Sequence, residues 1–378
     1  MSRVRGSAVN GLRGLMLLLI VVTHYVPSAF FSGNVARPAA ATMLTVTGYF
    51  FMTVLERDLA SFDGQYRDRL RTLTRLLFFR HIRIWPVMAG VVLLYVGLGF
   101  LDPSPATLQI HHTWPLYLGY MGNVVKMIFE GDAFPAHFWL IGAQEQFFLL
   151  ILILTAFCGA RRLPALLKVA VVAGIAARIV GAIVWMPGHP ALATETPLAV
   201  ADALALGMLC RMAIAGGQSR TSLRRTTGLA IAGIALLWAT IPNSYAAYFG
   251  LVPALTALFG CQFILVLADE VRLRRFERVA AGWPFLILLG QMSLSLFLIH
   301  PLINTLLALG FARSTGQLAP WWLLAIVGPP LSLVAAYAYY RAVELPIARL
   351  RNATGSRVAW SSDHRSIPLT ASANHAAI

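Results

Sequence analysis

An arginine and a histidine, Arg13 and His24, frame ten nearly all apolar residues in the stretch NGLRGLMLLLIVVTHY. On a helix, eleven residues carry the chain through close to three full turns. Both side chains then share one face, roughly 16 Å apart along the axis. A histidine of near-neutral pKa suits general-base activation of a hydroxyl. Arginines suit an anionic ligand bearing phosphates, because a guanidinium pairs with phosphate oxygens bidentately. One end of this helix therefore has the chemistry of a phosphate-binding donor site, and the other that of a reaction site.

More ionisable residues lie inside apolar runs, where a charge is costly and is by default a functional candidate. Glu145 in FWLIGAQEQFF, Arg178, Asp202 and His300 in SLSLFLIHP all read at a depth similar to His24, beyond the middle of their segments. Arg80 and Arg83 are three apart, share a helix face, and match Arg13 in depth. Glu145 or Arg178 is a candidate to orient or tune His24. Structural roles compete with each of these. The arginines also serve as interfacial anchors. Arg178 and Asp202 also serve as an ion pair within a bundle. His300 also serves as a packing residue bonded to a neighbouring helix. A proton-coupled transporter uses the same residue types, and composition and depth do not separate it from an enzyme.

The elements that must position these residues follow from composition. The chain has 378 residues, 58% hydrophobic and 12% charged, with a mean hydropathy of +0.72; soluble domains run near 25% charged. This is an all-α, polytopic membrane helix bundle. Ten spans are expected, at about 12–32, 38–55, 84–101, 138–158, 165–186, 197–215, 228–243, 248–268, 285–303 and 321–341. The net charge of +15 falls mainly on the connections 56–83, 159–168, 216–227 and 269–283, all on one side. The connections 102–137, 187–196 and 304–320 are poor in Lys and Arg. That is the positive-inside pattern rather than a nucleic-acid footprint, and it places both termini in the cytoplasm. The 56–83 connection reads as an amphipathic helix on the inner membrane surface. The 102–137 connection has room for a short helix over the outer mouth. Residues 352–378 read as a polar, disordered cytoplasmic tail, leaving 1–351 as one membrane domain. Cys158, Cys210 and Cys261 stand singly and have no metal-ligand spacing.

Six short patterns, in order along almost the whole chain, resemble the membrane acyltransferase-3 family, the O-acetylases of bacterial surface glycans and related substrates. Arg13 and His24 match its Arg, ten residues, His. TGYFF, with Thr47, Gly48 and Tyr49, resembles its Ser-Gly-aromatic element. RHIRIWP matches its Arg-x-x-Arg and proline at Arg80, Arg83 and Pro86. WLIGAQEQFF matches its fourth-helix pattern at Trp139, Gln146 and Phe147. MSLSLFLIHP resembles its late histidine element through His300, and YYRAVELP supplies Tyr340, Glu344 and Pro346. Three positions depart from the pattern: Gln144 stands where the family has Glu, Ala41 where an acidic residue is common, and Thr47 where serine is usual. The longer members carry an additional esterase-like periplasmic domain that has no counterpart in these 378 residues.

The resemblance implies an integral O-acyltransferase of the bacterial cytoplasmic membrane. It would move an acyl group, acetyl being the expected one, from cytoplasmic acyl-CoA to a hydroxyl of an exported glycan or its lipid-linked precursor. His24 is the expected catalytic residue, as general base or transient acyl carrier, with Glu145 and His300 beside it. Arg13, Arg80 and Arg83 would bind the donor. Arg178, Asp202 and Glu344 are substrate-site candidates, although Glu344 also reads as a helix-end salt bridge. Acyl-CoA is the expected donor co-substrate and no metal is expected. The expected partners are the lipid bilayer and the glycan acceptor, not nucleic acid. Three alternatives stand beside this reading: a transporter of an acyl group or small solute, a structural subunit of a polysaccharide-export complex, and acylation of a small molecule such as an antibiotic.

Overall fold

A computed structural model of the chain describes residues 3–26, 36–102, 104–129, 135–185, 189, 192, 194–240, 251–267 and 282–350. Among the described residues the protein is helical and forms no strand. With no water in the hydrocarbon layer, a helix is the way a single segment satisfies its own backbone polar groups.

The helices in chain order are α1 (Arg3–Tyr25), α2 (Ala36–Leu55), the single turn α3 (Leu59–Phe62), α4 (Tyr66–Leu101), α5 (Pro105–Leu118), α6 (Gly122–Phe129), α7 (Trp139–Cys158), α8 (Leu163–Val184), α9 (Ala201–Ala215), α10 (Arg220–Thr240), α11 (Val252–Leu267), α12 (Trp283–Gln291), α13 (Ser293–Thr315) and α14 (Trp321–Tyr339). A π-turn, Tyr340–Glu344, extends α14. Among the described residues, eight helices are long and apolar enough to cross a membrane. The expected spans 228–243 and 248–268 fall on α10 and on the shorter apolar helix α11; their ends and the 352–378 tail lie outside the described residues. Phe157, Val169, Val172, Ile183, Ile326 and Val334 are exposed. In water such a surface is a liability, whereas in a bilayer it is the lipid-facing skin.

Three expectations change. The basic 56–83 segment is not a separate surface helix, because α4 runs unbroken from Tyr66 to Leu101. No glycine or proline interrupts it before Pro86, and its Arg- and Leu-rich first half propagates helix readily. At 36 residues it is roughly 54 Å long against a hydrocarbon core of about 30 Å, so its first turns project from the Arg-rich side. The 102–137 connection holds two helices, α5 and α6, rather than one. The expected span 285–303 is broken at Met292 into α12 and α13.

Helix α1 lies against α12 and α2, and α2 also packs against α9 and α11. The α1–α12 crossing is close. A Cβ at Gly14 would stand 1.9 Å from the Leu286 carbonyl oxygen, and one at Gly290 1.9 Å from that of Asn10. Small residues that let two backbones meet are the usual membrane-helix interface, and this one fixes the helix that carries Arg13 and His24. Gly14→Ala is expected to lower the thermal midpoint of the purified protein, since overpacking a tight contact costs about 1–3 kcal/mol. Gly310→Ala, where a Cβ meets nothing within 4 Å, is expected to leave the midpoint unchanged or raise it. Equal midpoints for both variants would refute the close-packing account.

Candidate active site

On the Arg-rich side the bundle encloses a cavity of about 610 Å³. It follows α2 from Met43 to Leu55, roughly 18 Å along the helix, and takes walls from α1, α4, α7 and α13. Five arginines line it, Arg13, Arg57, Arg75, Arg80 and Arg83, against one aspartate, Asp58. Asp58 pairs with Arg75 near the mouth. Farther in, Arg13 Nε and Ser293 Oγ are buried and have no hydrogen-bond partner in the protein. Such atoms are costly unless a ligand or solvent meets them. A strongly positive cavity with unspent donors deep inside fits an elongated polyanion.

Arg80 is held differently from the others. Its Nε and Nη2 donate to both carboxylate oxygens of Glu145, at 2.5 and 2.6 Å. The guanidinium also stacks 3.9 Å from the Phe148 ring centre and 5.0 Å from that of Phe51. The sequence reading set Glu145 near His24, beyond the middle of the membrane. The structure instead commits its carboxylate to Arg80, beside the arginine cavity. The reason is rotational: one residue turns a helix side chain by about 100°. Gln144 therefore lines the cavity, while Glu145 is buried behind it and accepts from Gln144 Nε2 at 2.9 Å.

At the other end of α1, three histidines gather. The His24 and His300 rings lie 5.0 Å apart, edge to face, and His137 lies 5.9 Å from His300. His24 Nδ1 donates to the Ile20 carbonyl at 2.7 Å, and His300 Nδ1 to that of Leu296 at 2.9 Å. A carbonyl oxygen only accepts, so the proton sits on Nδ1 and the neutral ring offers the Nε2 lone pair. His137 bonds the Leu298 backbone. The Nε2 atoms of His137 and His300 are buried without a partner, whereas His24 is exposed. Of the three, His24 is the exposed one. Nearby, Lys126 pairs with Glu195 at 3.0 Å. Burial pushes the Glu195 carboxyl above the usual carboxylate range, and the Lys126 ammonium opposes that shift. Among the described residues no group of three or more His, Cys, Asp or Glu is placed to hold a metal ion.

Two further contacts hold this geometry. Tyr25 Oη donates to the His300 carbonyl at 2.7 Å and lies 2.6 Å from Ser332 Oγ, tying α1 to α13 and α14 beside His24. Glu344, in the π-turn, accepts from Ser295 N at 3.2 Å and Ser295 Oγ at 2.5 Å. It thereby anchors the first turn of the helix that carries His300, and its charge acts on Arg13. Arg178 and Asp202 instead form a bidentate pair at 2.5 Å, and Arg178 also donates to the Ala199 carbonyl at 2.7 Å. Neither residue lines the cavity. Sequence reasoning missed His137, Lys126, Glu195 and the cavity arginines Arg57 and Arg75. Only His137 left a usable signal, two residues before Trp139 of the fourth-helix pattern.

The chain is thus a polytopic helix bundle with an arginine-lined cavity toward one end of α1 and a histidine cluster at the other. The chain belongs to the acyltransferase-3 family, whose model, described as an acyltransferase domain, matches residues 7–341. No curated protein and no solved structure gave a significant match.

Proposed function

We propose that the protein transfers an acetyl group from cytoplasmic acetyl-CoA to a hydroxyl of an exported glycan or its lipid-linked precursor, in the bacterial cytoplasmic membrane. The observation that carries this reading is the split of the site along α1, arginine cavity at one end and histidine cluster at the other. With the Arg-rich side in the cytoplasm, as the positive-inside rule requires, the cavity opens toward the CoA pool. Arg13, Arg57, Arg75 and Arg83 then take the donor phosphates. Arg80, clamped by Glu145, is a fixed wall rather than a mobile phosphate ligand.

The acceptor hydroxyl approaches His24. The Nε2 lone pair takes its proton as the oxygen attacks the thioester carbonyl; the C–O bond forms, the C–S bond breaks, and the proton passes to the departing thiolate. Arg13 Nε and Ser293 Oγ, buried on the cavity side without a partner in the protein, are hydrogen-bond donors left for polar atoms of the acyl donor. The family, an acyltransferase one, favours transfer over transport.

Donor binding tests the reading directly. Full-length protein in nanodiscs is expected to bind CoA, and Arg13→Gln to weaken that binding. Losing one charge-assisted hydrogen bond is worth about 1.5–3 kcal/mol, roughly tenfold to a hundredfold in affinity. Arg313→Gln, outside the cavity, serves as the control. Failure of the wild type to bind CoA, or an equal loss in both variants, would overturn the assignment of the cavity.

A further inference from the structure

We propose that Phe297 is the partition between the donor cavity and the histidine cluster, and that its ring limits the length of the acyl chain and keeps the thioester from water. The proposal rests on the donor reading above and adds to it a residue that determines specificity.

Three observations converge on this side chain. Phe297 lines the cavity, together with Leu140 and Ile141 of α7 and Ser293 and Leu294 of its own helix. Its ring lies edge-on to His137 at 5.5 Å and 6.1 Å from His300. None of His24, His137 and His300 lines the cavity. The same ring is thus part of the cavity wall and a packing partner of the histidine cluster. On α13, Ser293, Phe297 and His300 fall at i, i+4 and i+7, a single helical stripe. Phe297 stands about 4.5 Å along the axis before His300. It is 7% exposed, held in the main buried core.

A thioester carbonyl must come within reach of His24, and in this arrangement the acyl end stops against Phe297. A short acyl group needs the ring to swing by little. A longer chain needs the space that the ring fills. The same ring separates the thioester from the open side where His24 is exposed. Without it, water can take the place of the acceptor hydroxyl. In that reaction water's oxygen forms the new C–O bond, the C–S bond breaks, and the products are free carboxylic acid and CoA thiol.

Purified full-length wild type, Phe297→Leu, Phe297→Ala and Phe297→Trp would be compared in nanodiscs with acetyl-, butyryl- and hexanoyl-CoA, following release of CoA thiol with water as the only acceptor. One methylene in an apolar pocket is commonly worth about tenfold or more in discrimination. Phe297→Ala is accordingly expected to raise the hexanoyl-to-acetyl ratio at least about tenfold and to raise hydrolysis of every donor. Phe297→Leu is expected to do so less, and Phe297→Trp to do the reverse. Adding His24→Ala to Phe297→Ala is expected to remove the gain. Phe297→Leu and Phe297→Trp keep the core filled and carry the test if the alanine variant does not fold. Unchanged chain-length ratios and hydrolysis in variants that still bind CoA would overturn the partition and leave the donor reading standing. Absence of CoA binding in the wild type would overturn both.

Discussion

Replacing His24 with alanine is expected to cut acyl transfer by about 10²–10⁴-fold, the usual contribution of a positioned general base, while leaving the affinity for CoA unchanged. On the proposed reading the two readouts separate, because the two ends of α1 do different work. The cavity holds Arg13 and does not include His24. His24 holds its Nδ1 proton against Ile20, which leaves Nε2 as its basic atom, and the residue is exposed. Removal of its ring takes away the base without touching a donor contact. His137→Ala and His300→Ala are expected to cost less, because both side chains are buried and their Nε2 atoms are shut away from an incoming acceptor. Single-turnover CoA release and CoA titration on the same preparations check the split. Full transfer by His24→Ala would exclude the base, and a matching loss of CoA affinity would point to a collapsed bundle.

The fold was legible because bilayer chemistry leaves few options. Long apolar runs with basic connections on one side permit a helix bundle and little else. The axis from Arg13 to His24 was legible for a related reason: two polar residues on one apolar helix have a calculable separation and a common face. Side-chain partners were not legible. Glu145 and Gln144 are adjacent in sequence, and whether the carboxylate or the amide meets the cavity depends on a rotation that only the packing of α7 against α4 fixes. His137 escaped because it sits at the boundary of a loop and a span, where a search for charge at depth does not look. The break at Met292 escaped because apolar residues run on both sides of it and no proline stands at the break itself.

The Arg178–Asp202 pair decides between a substrate-site role and a structural one, and its expected effect is large. The side chains are 3% and 0% exposed, and the pairing is bidentate. Removal of one partner leaves a buried, uncompensated charge, which costs about 3–5 kcal/mol. Asp202→Ala is therefore expected to be among the most destabilising single changes in the bundle, read as a large fall in thermal midpoint. Replacing both members with apolar residues of similar volume is often neutral or stabilising, so Arg178→Met combined with Asp202→Leu is expected to recover most of the loss. Neither residue lines the cavity, and each meets the other across the α8–α9 contact, where a Cβ on Gly174 would come within 2.8 Å of the Asp202 backbone nitrogen. Acyl transfer per folded molecule should consequently stay within a fewfold of wild type in the double variant. A double variant that regains stability yet has lost transfer would return the pair to the substrate site, because an ion pair that only holds two helices together is replaceable by packing, and one that meets a substrate is not.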